Sequence, residues 1–479
     1  MNHTTTIHWF RRDLRLSDNP AWQHALDSSE RIIPIYLHCP TEDGKWTRGG
    51  ASKWWLHQAL EDLSHQLEEL GCPLVILNAV GSSLEALSSF AKLHHVTQVS
   101  WNRCYEPAAI KRDTTIKSAL SANGVTVSTF NGSLLFDPLK ITNKVGTPFK
   151  VFTPFWKHCC TLDIPAPTPR SNQLPQHSLQ GSALSKLQLL PTITWDDSIA
   201  HAWNATRSGA EDLLQSAIHK AAHYQDSRDM AADDGTSRLS PYLHFGQIGP
   251  REFYHTILTQ SSEKQKAVEG ILRQLFWREF SAHLLYHFPH SQDDALKPDH
   301  QLFPWQFDEN LTKRWQKGRT GYPIIDAGMR QLWQTGWMHN RVRMIVGSFL
   351  VKHLLQPWQE GARWFWDTLV DADLANNTMG WQWLGGCGAD ASPYFRVFNP
   401  ILQSQKFDPD AEYIKRWLPE LKNIPAKQIH TIWEMEPLEL AAAGVTLGKD
   451  YPSRITSHEA GRQRALNAYA QFKGLLDSK

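Results

Sequence analysis

The chain has 479 residues, with 49 Lys+Arg against 48 Asp+Glu and a formal net charge of +1. That length calls for more than one core, and the charge balance excludes a protein that coats nucleic acid by bulk electrostatics; any such contact must be focused on a local basic face. The 21 tryptophans exceed what core filling needs and invite roles in stacking or electron transfer.

The N-terminal third alternates short apolar runs with helical repeats. "TIHWF", "RIIPIYLH", "PLVILNA" and "TQVSWN" read as buried strands. Between them, "SKWWLHQALEDLSHQLEELG" sets Trp55, Ala59, Leu63 and Leu67 four apart and ends on Gly71. This βαβ series predicts a parallel sheet. No GxGxxG follows the first strand, so a nucleotide cofactor is expected elsewhere. From Thr161 to about Thr194 the sequence is rich in Pro, Ser and Gln without periodicity, and reads as an interdomain connection. Beyond it nearly every segment is helical: "GAEDLLQSAIHKAAHY", "GPREFYHTILTQ", "VEGILRQLFWREFSAHLLYHF", "PIIDAGMRQLWQTG" and "MHNRVRMIVGSFLVKHLL". The expected organisation is an α/β Rossmann-like parallel-sheet domain over 1–135, a linker over 136–200 and an all-α domain over 201–479.

Six cysteines (Cys39, Cys72, Cys104, Cys159, Cys160, Cys387) form no CxxC and no Cys/His metal spacing, so free cytosolic thiols and no metal are expected. The opening "MNHTTTIHWFRRDLRL" places arginines where a signal peptide needs an apolar run, and no stretch reaches the ~18 apolar residues of a membrane span. A soluble, cytoplasmic protein is expected.

Three stretches mix polar and aromatic residues on helical surfaces. In "RQLFWREF", Gln274, Trp277 and Arg278 fall at i, i+3, i+4. In "MHNRVRM", Asn340 and Met344 share one face, and His339 and Arg343 the adjoining one. In "DADLANNTMGWQW", Asp371 and Asp373 stand two apart, as do Trp381 and Trp383, so neither pair shares a helix face. Each alone suits an ordinary hydrogen-bond network between helices. Three in one helical domain point to the walls of a pocket for a planar ligand. "GTSRLSPYLHFG" sets Thr236, Ser237 and Ser240 ahead of a helix with Pro241 in its first turn, an arrangement that serves either a phosphate or a plain N-cap.

These stretches, with "KGRTGYPIIDAGMRQL", "PYFRVFNP" and "HWFRRDLRLSDNPA", closely resemble the photolyase/cryptochrome family, in order and over nearly the whole chain. The resemblance implies an N-terminal antenna domain and a helical domain that binds FAD. It implies that Tyr224, Thr236, Ser237, Leu239 and Ser240 hold the phosphates and adjacent sugar, and that Arg278, Arg343, Asp371, Asp373 and Asn377 surround the isoalloxazine and its linker. Arg343 would pair with Asp371, and Asn377 would sit near flavin N5. Trp381, Trp358 and Trp305 match an electron-hopping chain, and Trp277 and Trp383 a pair that packs on a flipped pyrimidine dimer. Arg341 and Arg396 match phosphate contacts to UV-damaged DNA.

Within the family, Asn340 and Met344 match photolyases that split cyclobutane dimers, whereas (6-4) photolyases carry histidines at both positions. Gln274 departs from the Glu usual in the former and matches (6-4) photolyases and animal cryptochromes. "YEPAAIKRD" lacks the Asn-Glu pair of the best-known folate binders, so the antenna chromophore stays open between folate, deazaflavin and an empty pocket. The expected enzyme is a monomeric deoxyribodipyrimidine photo-lyase that repairs DNA by light-driven electron transfer; the alternatives are a cryptochrome photoreceptor and a (6-4) photolyase.

Overall fold

The computed structural model describes residues 4–260 and 265–478. Five strands, β1 (Thr5–Phe10), β2 (Arg31–His38), β3 (Val75–Asn78), β4 (Gln98–Asn102) and β5 (Thr126–Phe130), form one sheet in the order β3-β2-β1-β4-β5. All four pairings are parallel. The linking helices are α1 (Pro20–Ser28), α2 (Gly50–Glu69), α3 (Ser83–Leu93) and α4 (Pro107–Ala122). The four apolar positions of α2 read from the sequence, Trp55, Ala59, Leu63 and Leu67, are all buried. Burying a side chain of Leu size is worth about 1.5–3 kcal/mol, so this stripe fixes which face of α2 packs inward. At the α1 start, the Asn19 side chain accepts from Trp22 N at 3.1 Å, supplying the cap that an orphan amide needs.

β5 is the strand the apolar reading did not list. Its sequence "TVSTF" is polar and its residues are half-buried or exposed, as suits an edge strand covered on one side only. The connection from residue 161 to 194 contains no strand and one 3-10 turn, Leu184–Leu187. It runs along the opposite edge, where Ser182 N donates to Ile76 O at 2.8 Å. A side chain at Gly181 would collide with the Ile76 backbone, so glycine permits this close approach. The connection thereby covers part of an otherwise open edge.

The rest is helical, and the chain forms two compact units. The first comprises Met1–Ala222, Ser237–Pro289 and Val370–Ala375, and holds the sheet, helix α5 (Phe152–Cys159) and the long helix Gln265–His287. The second comprises His223–Thr236, His290–Leu369 and Asn376–Lys479. In the second, helix Pro323–Thr335 stops at Gly336 with φ 64, and helix Asn340–Ser348 runs into a π-helical turn over Phe349–His353. His339 does not share a helix face with Arg343, because it is the N-cap, with φ −55 and ψ 134. Its Nδ1 accepts from Arg341 N at 3.2 Å and the ring is buried.

Among the described residues no helix is long and apolar enough to cross a membrane, and no group of three or more His, Cys, Asp or Glu could hold a metal ion. All six cysteines are free thiols.

Candidate functional site

In the first unit, the turn Val370–Ala375 brings Asp371 and Asp373 to residues far away in sequence. Ser240 Oγ donates to Asp371 Oδ2 at 2.6 Å. Asp373 Oδ2 lies 3.2 Å from His244 Nδ1 and 3.6 Å from Arg12 Nη1, and Arg12 also pairs with Glu106. Burial pushes the His244 imidazole below its ordinary range, against the opposing pull of Asp373. A neutral ring with its proton on Nδ1 satisfies Asp373 and leaves Nε2 as an acceptor without a hydrogen-bond partner. Arg278 Nη2 donates to Leu243 O at 3.2 Å, and its Nη1 lies 3.4 Å from Glu279 Oε1. Burial raises Glu279 to about 7, against the lowering effect of Arg278 and of the Phe136 amide that donates to it. Arg12, Glu106, Ser133, His244, Arg278 and Asp373, with apolar Leu134, Ala282 and Leu285, help line a cavity of about 30 Å³, room for roughly two waters.

Ser237 and Ser240 are partly committed within this unit. Ser237 Oγ accepts from Leu239 N at 3.4 Å, and Ser240 serves Asp371. Between them Arg238 takes the left-handed conformation, φ 54, which makes the sharp entry to helix Ser240–Phe245, with Pro241 in its first turn. Leu239 is fully buried, so it contributes backbone and packing rather than a polar contact. Gln274 Nε2 donates to Gly270 O at 3.1 Å in its own helix, which leaves its second N–H and its carbonyl oxygen for other partners. Trp277 is half-buried, and its ring stacks on Phe152.

In the second unit, Trp381 and Trp358 sit on adjoining helices, Leu374–Gly385 and Trp358–Thr368. Each helix gives the other a glycine. Gly361 lies against the Trp381 ring, where a Cβ would come within 2.5 Å of Cζ2, and a Cβ on Gly385 would sit 3.7 Å from Trp358 Cδ1. Trp305 is half-buried, packs on Phe303, and precedes Gln306, whose amide donates to Leu355 O at 2.9 Å, near the start of the Trp358 helix. Exposure rises from buried Trp381 and Trp358 to half-buried Trp305. Asn377, itself buried, donates from Nδ2 to Ala362 O at 2.9 Å, which fixes its amide orientation. Asn340 and Met344 share a face, with Nδ2 and Sδ 4.0 Å apart. Arg343 Nε donates to Met338 O at 2.8 Å. Arg341 is bound to Asp229 at 2.5 Å and lies over the Phe407 ring, whereas Arg396 is exposed. Tyr224 is buried under the Arg228 guanidinium, Trp383 is half-buried, and Thr236 belongs to the same unit.

Sequence reasoning did not single out Arg12, Glu106, His244, Glu279 or Phe152 as site residues. Arg12 and His244 lie inside motifs already quoted, but their pairing with Asp373 spans 361 and 129 positions and leaves no periodic trace. In each unit the donor chemistry suits part of a flavin dinucleotide: in the first, hydroxyls at 237 and 240 for phosphate, the Arg278 guanidinium and buried Asp371; in the second, Thr236, the Arg343 guanidinium and buried Asn377.

The model described as DNA photolyase matches residues 6–172, and that described as the FAD binding domain of DNA photolyase matches 271–471. A deoxyribodipyrimidine photo-lyase of Agrobacterium fabrum is 44% identical over 98% of this chain and 98% of its own length. Cryptochrome-1 of Arabidopsis thaliana is 36% identical over 98% of this chain and 70% of its own. A crystal structure of a bacterial class III photolyase from Agrobacterium tumefaciens superposes with a TM-score of 0.94 at 41% identity, covering 99% of this chain and 98% of that one. The matches define a two-part flavoprotein architecture, an α/β sheet domain followed by a helical FAD-binding domain. The chain belongs to the photolyase/cryptochrome family, and within it stands with the enzymes named deoxyribodipyrimidine photo-lyase in several species.

Proposed function

We propose that the protein repairs cyclobutane pyrimidine dimers in DNA under blue or near-UV light. FAD, when bound and reduced, would supply the light-driven one-electron chemistry, lent to the dimer and returned with no net redox change. The chain's own residues do the rest. Trp277 and Trp383 pack on the extruded dimer, whose poor pairing lowers the cost of flipping. Asn340 and Met344 border it, and Met344 offers a polarizable apolar surface to a thymine face. Gln274 keeps one N–H for a pyrimidine carbonyl as negative charge develops there. Asn377, its amide oriented through Ala362 O, would stand beside the flavin ring, and the Trp381–Trp358–Trp305 series would carry electrons inward to keep the cofactor reduced. Arg396 and Arg341 hold backbone phosphates.

The observation that carries the substrate assignment is the Asn340–Met344 pair on one helix turn, where a proton-transferring His pair would stand in a (6-4) enzyme. Gln274 and the likeness to plant cryptochromes favour signalling as the second reading. The deciding experiment illuminates dithionite-reduced protein with a cyclobutane-dimer oligonucleotide and, separately, a (6-4) oligonucleotide. Restoration of the first alone supports the proposal. Restoration of the second alone, or flavin reduction with no repair of either, overturns it.

A further inference from the structure

Helix α5 opens on Phe152, which is buried, and carries Trp156 one turn later. The two rings are parallel within 2° with centroids 6.4 Å apart, and present a flat aromatic floor. Helix Gln265–His287 lays two of its own residues, also one turn apart, on that floor. Trp277 stacks on Phe152 at 3.5 Å and 6°, and the Arg273 guanidinium lies 4.6 Å from the Trp156 centroid and 5.3 Å from that of Phe152. Phe280 closes the edge, nearly perpendicular to both Trp277 and Phe152.

A face-to-face sandwich is the least favoured arrangement of two aromatic rings, because both faces carry negative potential. A guanidinium over the lower ring offsets that repulsion, since it is attracted to the same electron-rich face. The stack therefore needs Arg273 as well as Phe152. It covers one face of Trp277 and holds the indole plane in advance of any ligand.

We propose that Phe152 and Arg273 are positioning residues that fix the plane of Trp277 and so set how strongly this chain prefers dimer-containing DNA over intact duplex. The proposal rests on the reading of Trp277 as a ring that packs on the flipped dimer. A half-exposed indole without such backing exchanges rotamers within picoseconds to nanoseconds, and freezing one such side chain on binding weakens affinity by roughly 2- to 10-fold. Intact duplex does not extrude a base into the site and escapes this loss.

The test measures dissociation constants in the dark for a dimer-containing duplex and its undamaged twin, with flavin content and melting temperature recorded for each variant. Phe152→Leu fills the volume without a flat ring and should bind the lesion duplex about 2- to 10-fold more weakly, with the undamaged duplex and flavin content unchanged. Phe152→Tyr restores a ring and should stay within about twofold of the parent. Arg273→Gln, which leaves the buried packing intact, should reduce lesion binding alone. A lesion preference unchanged in Phe152→Leu and Arg273→Gln, or an equal loss on both duplexes, overturns the proposal. A separate arm isolates the underlying reading: if Trp277→Ala keeps the full lesion preference, Trp277 does not pack on the dimer at all.

Discussion

Replacing Gly361 by alanine tests the geometry around Trp381 directly. The new methyl would collide with Trp381 Cη2 and Cζ3 and sit 2.5 Å from Cζ2, whereas carbon atoms rest at about 3.5–4.0 Å, so ring or helix must retreat by more than about an ångström. Overpacking of this kind costs about 1–3 kcal/mol. Alanine in a helix returns about 0.5–1 kcal/mol relative to glycine. Gly474→Ala isolates that second contribution, because its Cβ would meet nothing within 4 Å in helix His458–Asp477. The two variants should therefore melt roughly 1–3 °C apart, with Gly361→Ala lower, since unfolding 479 residues carries about 1 kcal/mol per kelvin. Blue-light reduction of bound flavin by an external thiol, run on the same samples, should slow in Gly361→Ala only, since Trp381 is displaced from Trp358. Equal melting temperatures and equal photoreduction would refute the packing argument and the role given to Trp381 together.

Trp305→Phe should block photoreduction of oxidised flavin, because phenylalanine is far harder to oxidise, while chemically reduced protein still repairs; transient absorption and a repair assay on one preparation separate the two. Arg396→Ala should flatten the slope of log K against log salt on duplex DNA by about 0.9, and an unchanged slope removes this exposed side chain from the DNA interface. Glu279 has a folded pKa of about 7 against an ordinary 4.5, so the native state holds its proton more tightly than the unfolded chain does. Its stabilisation is complete below pH 4.5 and is lost as pH rises through 7, a change of roughly 3 kcal/mol. Glu279→Gln, a permanently neutral mimic, should exceed the parent in stability at pH 8 and lose most of that advantage at pH 4.5. Urea unfolding at both values checks this, and a pH-independent difference would contradict it.

The strands read from the sequence were those with apolar runs, and each is found in the sheet: burial on both faces makes a strand legible without any partner. β5 escaped because an edge strand needs no such run. The spacing of Gln274, Trp277 and Arg278 and of Asn340 and Met344 was legible because a helix repeats locally. His339 was misplaced because periodicity does not mark where a helix begins. The ties of Asp373 to Arg12 and His244, and the stack of Trp277 on Phe152, join distant segments through tertiary packing, which a single sequence does not encode as spacing. What the sequence left open about the site is mainly this second layer of partners.

The position of β1 at the middle of the sheet has a consequence for synthesis. Thr6 is flanked by Ile32 on one side and Gln98 on the other, so the earliest strand to leave the ribosome has one neighbour within about thirty residues and waits for the second. At about 5–20 residues per second, the 59 residues between the end of β2 and Gln98 take roughly 3–12 s to appear. During that interval the apolar β1 and β2 form an incomplete sheet with an open hydrogen-bonding edge, the kind of surface that recruits foreign strands. A nascent chain stalled before Gln98 should therefore depend on chaperone cover, and that dependence should fall sharply once the β4 segment has emerged.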